Sequence, residues 1–149
     1  MRAVVQRVSR ARIQVQGETV SEMGAGLLAL VGVASEDREA DARTLADKLV
    51  HLRLFPEAQG RMNLSLEETG GTLGVISQFT IMGDARRGRR PSYAQAAPGE
   101  RAEPLIEALI AAARTLGVPV ATGRFGASMQ VELVNEGPVT ILLDTRRQF

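Results

Sequence analysis

The sequence predicts an α+β domain whose sheets curve around one core. Apolar residues alternate or run continuously in several short segments, as in strands, while two longer segments have the three- and four-residue spacing of an amphipathic helix. The order strands, helix, strands, helix, strands provides too few helices for a doubly wound parallel sheet. Because no linker, repeat or low-complexity segment interrupts residues 1–149, we expect a single compact domain with two main helices.

The first predicted strand covers residues 2–16, in which apolar and polar residues alternate around Ala11, Ile13 and Val15. This alternation argues against the alternative for an arginine-rich terminus, an amphipathic transit peptide. A hairpin turn is predicted at Gly17-Glu18. It leads to a second strand, GLLALVGV at 26–33, whose continuous apolar run predicts burial on both faces.

The first helix is predicted to begin at Glu36-Asp37 with Ser35 as its N-cap, because acidic residues favour the N-terminal end of the helix dipole. Its apolar face comprises Ala42, Leu45, Ala46, Leu49 and Val50. The second helix has Pro104 in its first turn and ends at Gly117. Its buried stripe comprises Leu105, Ile106, Leu109, Ile110, Ala113 and Leu116.

The remaining elements are shorter. Between the helices we predict a short strand near Met62–Leu66, a turn at Gly70-Gly71, a buried strand with Val75, Ile76, Phe79, Ile81 and Met82, and a helical turn from Ser92 to Ala97. After the second helix we predict two strands, Met129–Val134 and Val139–Leu143, joined by Asn135–Pro138.

Composition excludes several classes of function. The chain has no cysteine, which rules out disulfides and thiol catalysis and fits a reducing cytoplasm. Its one histidine, His51, ends the first predicted helix and is interpreted as a surface residue, so neither a zinc site nor a Ser-His-Asp triad is expected. No glycine-rich segment has the context of a phosphate-binding motif, so we expect no cofactor. No apolar run approaches the roughly 18 residues of a membrane helix.

Arginine is clustered although the net charge is only +1. Every basic residue except Lys48 is an arginine, with groups at 2–12, 86–90 and 146–147. The guanidinium group pairs bidentately with phosphate, which lysine does not. The group at 86–90 is therefore either a solvated loop or a set of phosphate contacts, made by Arg86, Arg87, Arg89 and Arg90.

Two polar segments interrupt apolar surroundings. In ISQFT the adjacent Ser77 and Gln78 must point to opposite faces of a strand, so at least one lies among apolar neighbours, where an unpaired polar group costs about 1–3 kcal/mol. The segment is either a strand with a solvated face or a strand end whose hydroxyl and N–H groups hold a reacting carbonyl. In NEGPVT, Gly137-Pro138 is either an ordinary turn or a cis peptide.

Taken together, these segments resemble the D-aminoacyl-tRNA deacylase family over essentially the whole chain. The matching segments occur in order: MRAVVQRVSRARI at 1–13, SQFT at 77–80, RRGRRPSY at 86–93, TGRFGASM at 122–129 and NEGPVT at 135–140. SQFT and GPVT are the family's two signature motifs. The departures are mild: Tyr93 stands where phenylalanine is common, and LIEAL at 105–109 replaces a helix start that more often contains tyrosine.

The resemblance implies a homodimer of compact, barrel-like subunits with active sites at the subunit interface. The substrate would be the acceptor end of a cytoplasmic tRNA wrongly charged with a D-amino acid, and the reaction would be hydrolysis of the ester to the terminal adenosine. Glycyl-tRNA mischarged on tRNA-Ala would also be a substrate, because glycine has no side chain to reject. The implied catalytic residues are Ser77, Gln78, Phe79 and Thr80.

The resemblance also implies a substrate-binding set: Gly137, Pro138, Val139, Thr140, Phe125, Met129 and Arg7. In this set, a cis Gly137-Pro138 bond would reach into the partner's site and reject L-amino acids. Three agents remain open for the chemical step: Thr80 as nucleophile, a positioned water, and the 2′-hydroxyl of the tRNA. The sequence offers no base to activate Thr80, so water attack with backbone stabilisation of the oxyanion is favoured. The alternatives to a deacylase are an RNA-binding module without catalysis and a general esterase or peptidase using Thr80 or Ser77.

Overall fold

The structure is a computed structural model that describes residues 1–149 and contains eight strands and three α-helices. The strands are β1 (Arg2–Val15), β2 (Glu18–Met23), β3 (Gly26–Gly32), β4 (Phe55–Pro56), β5 (Met62–Leu64), β6 (Thr72–Ser77), β7 (Val120–Thr122) and β8 (Gln130–Asp144). The helices are α1 (Glu39–His51), α2 (Leu66–Thr69) and α3 (Gly99–Thr115). None of the helices is long and apolar enough to span a membrane.

One six-stranded sheet organises the fold. Strand β1 lies at its centre and pairs antiparallel with β2 and β3 along one edge and with β8 along the other. The sheet continues through β6 and β7, both in parallel pairings, and curves until β7 approaches β2. There the Ser21 hydroxyl donates a hydrogen bond of 2.7 Å to the carbonyl of Thr122. The prediction of an α+β fold with a curved, barrel-like sheet is confirmed.

Two apolar clusters cover opposite faces of this sheet. The larger one joins α1 and α3 to the face that carries Val5, Ala29 and Val75. The smaller one lies on the other face and includes Leu28 and Ile76. Consecutive residues of β3 and β6 therefore enter different clusters, which explains why the sequences of these strands are apolar without interruption.

The first helix begins later than predicted. The prediction of a start at Glu36-Asp37 capped by Ser35 is wrong, because the fully buried carboxylate of Asp37 is used elsewhere. It pairs with the α-amino group of Met1 at 2.8 Å and accepts the Ala34 N–H at 2.6 Å. Helix α1 instead begins at Glu39, and the side chain of Asp41 accepts the N–H of Arg38 at 2.9 Å.

The predicted strand through Met82 is also wrong in its second half. Strand β6 ends at Ser77, and a short 3-10 helix, Phe79–Met82, follows. Pairing with β3 stops at Val31 and Ser77, and a last hydrogen bond joins the N–H of Gln78 to the carbonyl of Val31 at 2.7 Å. Without a further partner strand, the chain leaves the sheet at Gln78.

Smaller differences share one cause, which is that long-range partners set the ends of elements. The hairpin turn uses Gln16 and Gly17, both with positive φ, rather than Gly17-Glu18. Helix α3 begins at Gly99, which places Pro104 in its second turn rather than its first. The segment 92–97 forms turns and isolated bridges instead of a helical turn. The two predicted C-terminal strands are one strand, β8, interrupted by a bulge, and β2, β4, α2 and β7 were not predicted.

Candidate active site

A cavity of about 560 Å³ opens where β6 ends, and it is called the strand-end cavity below. One wall is the complete SQFT segment, Ser77–Thr80. The opposite walls are apolar and come from β3, from α3 with its preceding turn, from the 125–129 segment and from β8: Val31, Val33, Ala97, Ala102, Ile106, Phe125, Met129 and Val131. None of the lining residues carries an ionisable side chain.

The SQFT segment lines this cavity at the point where the chain changes from strand to 3-10 helix. The first hydrogen bond of the new helix runs from the N–H of Ile81 to the carbonyl of Gln78, at 3.3 Å. The N–H groups of Phe79 and Thr80 precede that bond and therefore have no acceptor within the helix. Neighbouring N–H groups that lack an acceptor can bind a carbonyl oxygen on which negative charge develops.

The side chains of this segment provide hydrogen bonds but no base. The amide of Gln78 donates to the hydroxyl of Thr80 at 3.0 Å. Phe79 is 59% exposed and meets Tyr93 edge-on, with ring centroids 5.2 Å apart. His51 is the last residue of α1, as predicted, and its ring lies between Asp47 and Glu67 rather than in the cavity. A hydrogen bond with the backbone of Asp47 raises the pKa of His51.

Phe125 and Met129 join SQFT in the strand-end cavity. Met129 lies against Gly123, where a Cβ atom would approach the Met129 sulfur to 2.6 Å. The ring of Phe125 lies beside Gly99 at the start of α3. Both side chains are half-buried, and they form an apolar wall opposite the backbone of SQFT.

The GPVT segment lies elsewhere, on a protruding part of β8. Strand pairing joins Gln6 to Thr140 and Val8 to Asn135, so the single residue Arg7 stands opposite four residues. These four, Glu136–Val139, are called the β8 bulge. The bond between Gly137 and Pro138 is cis, and both residues are exposed. None of the residues of the bulge lines the strand-end cavity of the same chain.

Arg7 holds the β8 bulge rather than facing the cavity. Its Nε donates to the carbonyl of Glu136 at 2.8 Å, and its Nη1 donates to the carbonyl of Leu54 at 2.6 Å. Gly137 has φ of +150°, and a Cβ there would lie 2.7 Å from Cγ2 and 2.8 Å from the nitrogen of Val139. The bulge is therefore closely packed although it is exposed.

The four arginines of the loop at residues 84–92, called the arginine loop, are not equivalent. Paired backbone hydrogen bonds between Asp84 and Ser92 close the loop. Arg86 folds back onto the carboxylate of Asp84 with bonds of 2.9 and 2.6 Å, and these bonds hold the pKa of Asp84 well below its usual range. No anionic side chain pairs with the other three, Arg87, Arg89 and Arg90.

The predicted site residues thus form two groups. Ser77–Thr80, Phe125 and Met129 lie together in the strand-end cavity, whereas Arg7 and residues 137–140 lie together at the β8 bulge. Apart from Phe125 and Met129, sequence reasoning missed the apolar walls of the cavity, although Ile106 was recognised as part of a buried stripe. It also missed the side-chain hydrogen bonds of Asn135, whose signal was an asparagine placed two residues before a glycine–proline pair.

Solved structures show which class of protein has this fold. A structure described as a probable eukaryotic D-amino acid tRNA deacylase superposes with a TM-score of 0.82 at 18% identity, over 95% of this chain and 97% of that one. A structure described as c-Myc DNA Unwinding Element Binding Protein superposes with a TM-score of 0.90 at 34% identity, over 97% and 98% of the two chains. The fold is therefore the one adopted by D-amino acid tRNA deacylases.

Sequence comparison identifies the family. The family model for D-Tyr-tRNA(Tyr) deacylase matches residues 4–144, and this chain belongs to that family. A D-aminoacyl-tRNA deacylase of Anaeromyxobacter dehalogenans (strain 2CP-C) is 58% identical over the whole of both chains. One of Symbiobacterium thermophilum is 53% identical over 100% of this chain and 99% of its own. The resemblance drawn from the sequence is confirmed, and with it the prediction of a deacylase enzyme.

Proposed function

We propose that this protein, a single deacylase domain over residues 1–149, hydrolyses the ester bond of D-aminoacyl-tRNA in the cytoplasm and releases the free D-amino acid and tRNA. The observation that carries the proposal is the strand-end cavity, an apolar-walled space lined by a complete SQFT segment in which two N–H groups have no intrahelical acceptor. Family membership supplies the class of substrate. This activity would serve translation quality control by removing D-amino acids from tRNA.

The backbone of SQFT would stabilise the transition state. The N–H groups of Phe79 and Thr80 would bind the carbonyl oxygen as a water molecule adds to the carbonyl carbon and charge develops on that oxygen. The ester C–O bond then breaks, and the ribose oxygen leaves with a proton. One oxyanion donor typically contributes about 2.7–4 kcal/mol, so two backbone donors account for much of the acceleration. Ser77 and Gln78 would orient the segment and the adenosine.

Water is favoured over Thr80 as the attacking group. The only side chain bonded to the Thr80 hydroxyl is the amide of Gln78, which is a donor and not a base. No ionisable side chain lines the strand-end cavity. An alcohol without a base is a weak nucleophile at neutral pH. The 2′-hydroxyl of the substrate is the second candidate for assistance, because it would lie next to the ester in any productive complex.

Rejection of L-amino acids would come from the β8 bulge of a partner subunit. Residues Gly137, Pro138, Val139 and Thr140 lie outside their own cavity, so in this proposal they act in a second copy's site. Both enantiomers carry the same groups, and only their placement differs. A wall made of closely packed backbone excludes a misplaced side chain because it has no side chain that can move aside. Glycine has no side chain for this wall to exclude, so glycyl-tRNA would be hydrolysed as well.

The homodimer is supported by the outer side of β8. This strand pairs with β1 along one edge only, and its other edge has no partner strand. Two apolar side chains, Val134 and Leu142, are exposed on it, and Leu142 is 57% exposed. Unpaired strand edges with apolar side chains are sites of association between chains. A dimer formed there would also carry the bulge toward another subunit.

The arginine loop would bind phosphates of the tRNA acceptor end. It follows the 3-10 helix that contains Thr80, and its base packs on the cavity wall, since a Cβ at Gly83 would lie 3.0 Å from both the Thr80 carbonyl and the Tyr93 ring. Arg87, Arg89 and Arg90 are free to pair with phosphate, whereas Arg86 already pairs with Asp84. We therefore assign the phosphate contacts chiefly to the first three.

The test is the rate of ester loss from matched D-tyrosyl-tRNA and L-tyrosyl-tRNA incubated with the purified protein, with glycyl-tRNA as a third substrate. We expect rapid loss of the D-ester, survival of the L-ester and measurable loss of the glycyl ester. Survival of all three esters would contradict the proposal and leave the RNA-binding module as the function. Hydrolysis of simple esters without tRNA would favour a general esterase instead.

A further inference from the structure

The β8 bulge is closed by the side chain of one residue at its base, Asn135. Because Arg7 alone stands opposite Glu136–Val139, the backbone groups of these four residues cannot all pair with β1. The carboxamide of Asn135 replaces part of the missing pairing. Its Oδ1 accepts the N–H of Val139 at 2.7 Å, and its Nδ2 donates to the carbonyl of Val139 at 3.2 Å.

This arrangement reproduces a pair of strand hydrogen bonds with a side chain. A carboxamide carries one acceptor and one donor group in a plane, as a peptide group does, and both bond the backbone of the same residue. The orientation of the amide is fixed, because the N–H of Val139 requires an acceptor and its carbonyl requires a donor. Nδ2 also lies 3.3 Å from the hydroxyl of Thr140, which accepts from Gln6 at the same distance.

The two ends of the bulge are thus held differently. Arg7 reaches from β1 and binds the carbonyl of Glu136 at the entry. Asn135 binds both backbone groups of Val139 at the exit. Between these two attachments lie only Gly137 and Pro138, so the direction in which they project depends on both attachments.

We propose that Asn135 is a positioning residue for stereochemical selection, and that its carboxamide fixes the place of Gly137 and Pro138 in the partner's site. The inference rests on the proposed deacylase function and adds to it a residue that contacts no substrate. Loss of the carboxamide would free the exit of the bulge and allow an L-side chain to displace it. The ratio of D- to L-ester hydrolysis would then fall more than the rate of D-ester hydrolysis.

The experiment compares Asn135→Ala and Asn135→Asp with the unaltered protein. The alanine variant loses both bonds to Val139, whereas the aspartate variant keeps an acceptor for the N–H and loses the donor to the carbonyl. The chain's other asparagine provides the matched control, because Asn63 lies in β5, which pairs with β4 and not with β8, and donates a bond of 2.8 Å to Glu57. The readouts are the ratio of D- to L-tyrosyl-tRNA hydrolysis and the hydrogen exchange of the Val139 amide.

We expect Asn135→Ala to lower the D/L ratio by about tenfold or more, Asn135→Asp to lower it less, and Asn63→Ala to leave it unchanged. The exchange of the Val139 amide should accelerate in the same order. Equal slowing of both enantiomers with an unchanged ratio would overturn the proposal and leave Asn135 as a structural residue. Unchanged amide exchange in Asn135→Ala would overturn it as well.

Failure of the underlying function gives a different result. If the unaltered protein hydrolyses neither ester, both the deacylase function and the role of Asn135 in selection are contradicted. If it hydrolyses the D-ester and Asn135→Ala leaves the ratio of D- to L-ester hydrolysis unchanged, only the role of Asn135 is contradicted. The aspartate variant separates loss of positioning from loss of folding, because it keeps the size of the side chain and one of its two bonds to Val139.

Discussion

The strand-end cavity and the β8 bulge differ in how they are built. The cavity is completed by the chain's own residues: SQFT forms one wall, and apolar side chains from β3, α3 and β8 form the others. The bulge projects into solvent, carries its backbone outward and lines no cavity of its own chain. Under the proposed function, the cavity would bind and polarise the ester, and the bulge would limit what a second subunit's site accepts. The proposed reaction centre and the proposed selective wall therefore lie in separate places on each chain.

The largest expected effect is that of Gly137→Ala. Its φ of +150° and a Cβ within 2.8 Å of the Val139 backbone both oppose a side chain, and neither Val139 nor Arg7 can withdraw without moving the bulge. Backbone strain of this kind costs about 1–3 kcal/mol, so the ratio of D- to L-ester hydrolysis should fall by roughly 10- to 100-fold. The measurement is single-turnover hydrolysis of both enantiomers.

Gly60 provides the control for the φ effect alone. It has φ of +86°, no atom lies within 4 Å of its Cβ position, and it lies between β4 and β5 rather than in the bulge. Gly60→Ala should leave the D/L ratio unchanged. If Gly137→Ala retains full selectivity while folding normally, the bulge is not the selective wall, and the two regions are not parts of one site.

The next effect tests whether the two regions meet across a dimer. Leu142→Asp places a charge on the exposed apolar side of β8, where association would bury it without a partner. We expect the dissociation constant of the dimer to rise about tenfold or more, measured by sedimentation at several protein concentrations. Met62→Asp is the matched control, since Met62 is 55% exposed and lies on β5. Equal effects of the two substitutions would show that β8 is not the interface.

A smaller effect concerns the arginine loop beside the cavity. Replacing Arg87, Arg89 and Arg90 by alanine should weaken tRNA binding and reduce the slope of log affinity against log salt by about 2–3, because each phosphate contact contributes roughly 0.7–0.9. Arg86→Ala should change the slope little, since the Arg86 guanidinium already pairs with Asp84. Binding is measured by filter retention from low to moderate salt. A slope unchanged in the triple variant would mean that the loop is only solvated.

The sequence predicted the parts of the fold that depend on local pattern. The alternation around Ile13 predicted β1, and the spacing around Leu45 predicted the buried face of α1, because burial on one face imposes a period that is visible in a short window. The predicted ends of helices and strands were wrong where contact with a distant residue determines the end. Asp37 was read as part of a helix, but it pairs with the amino group of Met1. No local sequence pattern indicates such an ion pair.

The candidate site shows the same division between local and distant information. SQFT and GPVT were found as segments whose polar residues or glycine–proline pair conflicted with the pattern around them. Their geometry was not predictable, because β6 ends where β3 ceases to pair, and the bulge depends on hydrogen bonds from Arg7 and Asn135. The pattern also assigned Phe79 to a strand, although its ring packs on Tyr93 outside the sheet.

The smallest expected effect, that of Thr80→Ala, separates backbone from side-chain catalysis within the cavity. The substitution removes the hydroxyl and its bond to Gln78 but leaves the N–H of residue 80 in place. A neutral hydrogen bond contributes about 0.5–1.5 kcal/mol, so single-turnover hydrolysis of D-tyrosyl-tRNA should slow by about tenfold at most. A nucleophile would behave differently, because its removal abolishes the covalent step. Near-complete loss of activity in a folded Thr80→Ala protein would therefore make Thr80 the attacking group, and the cavity would act through a side chain rather than through its backbone.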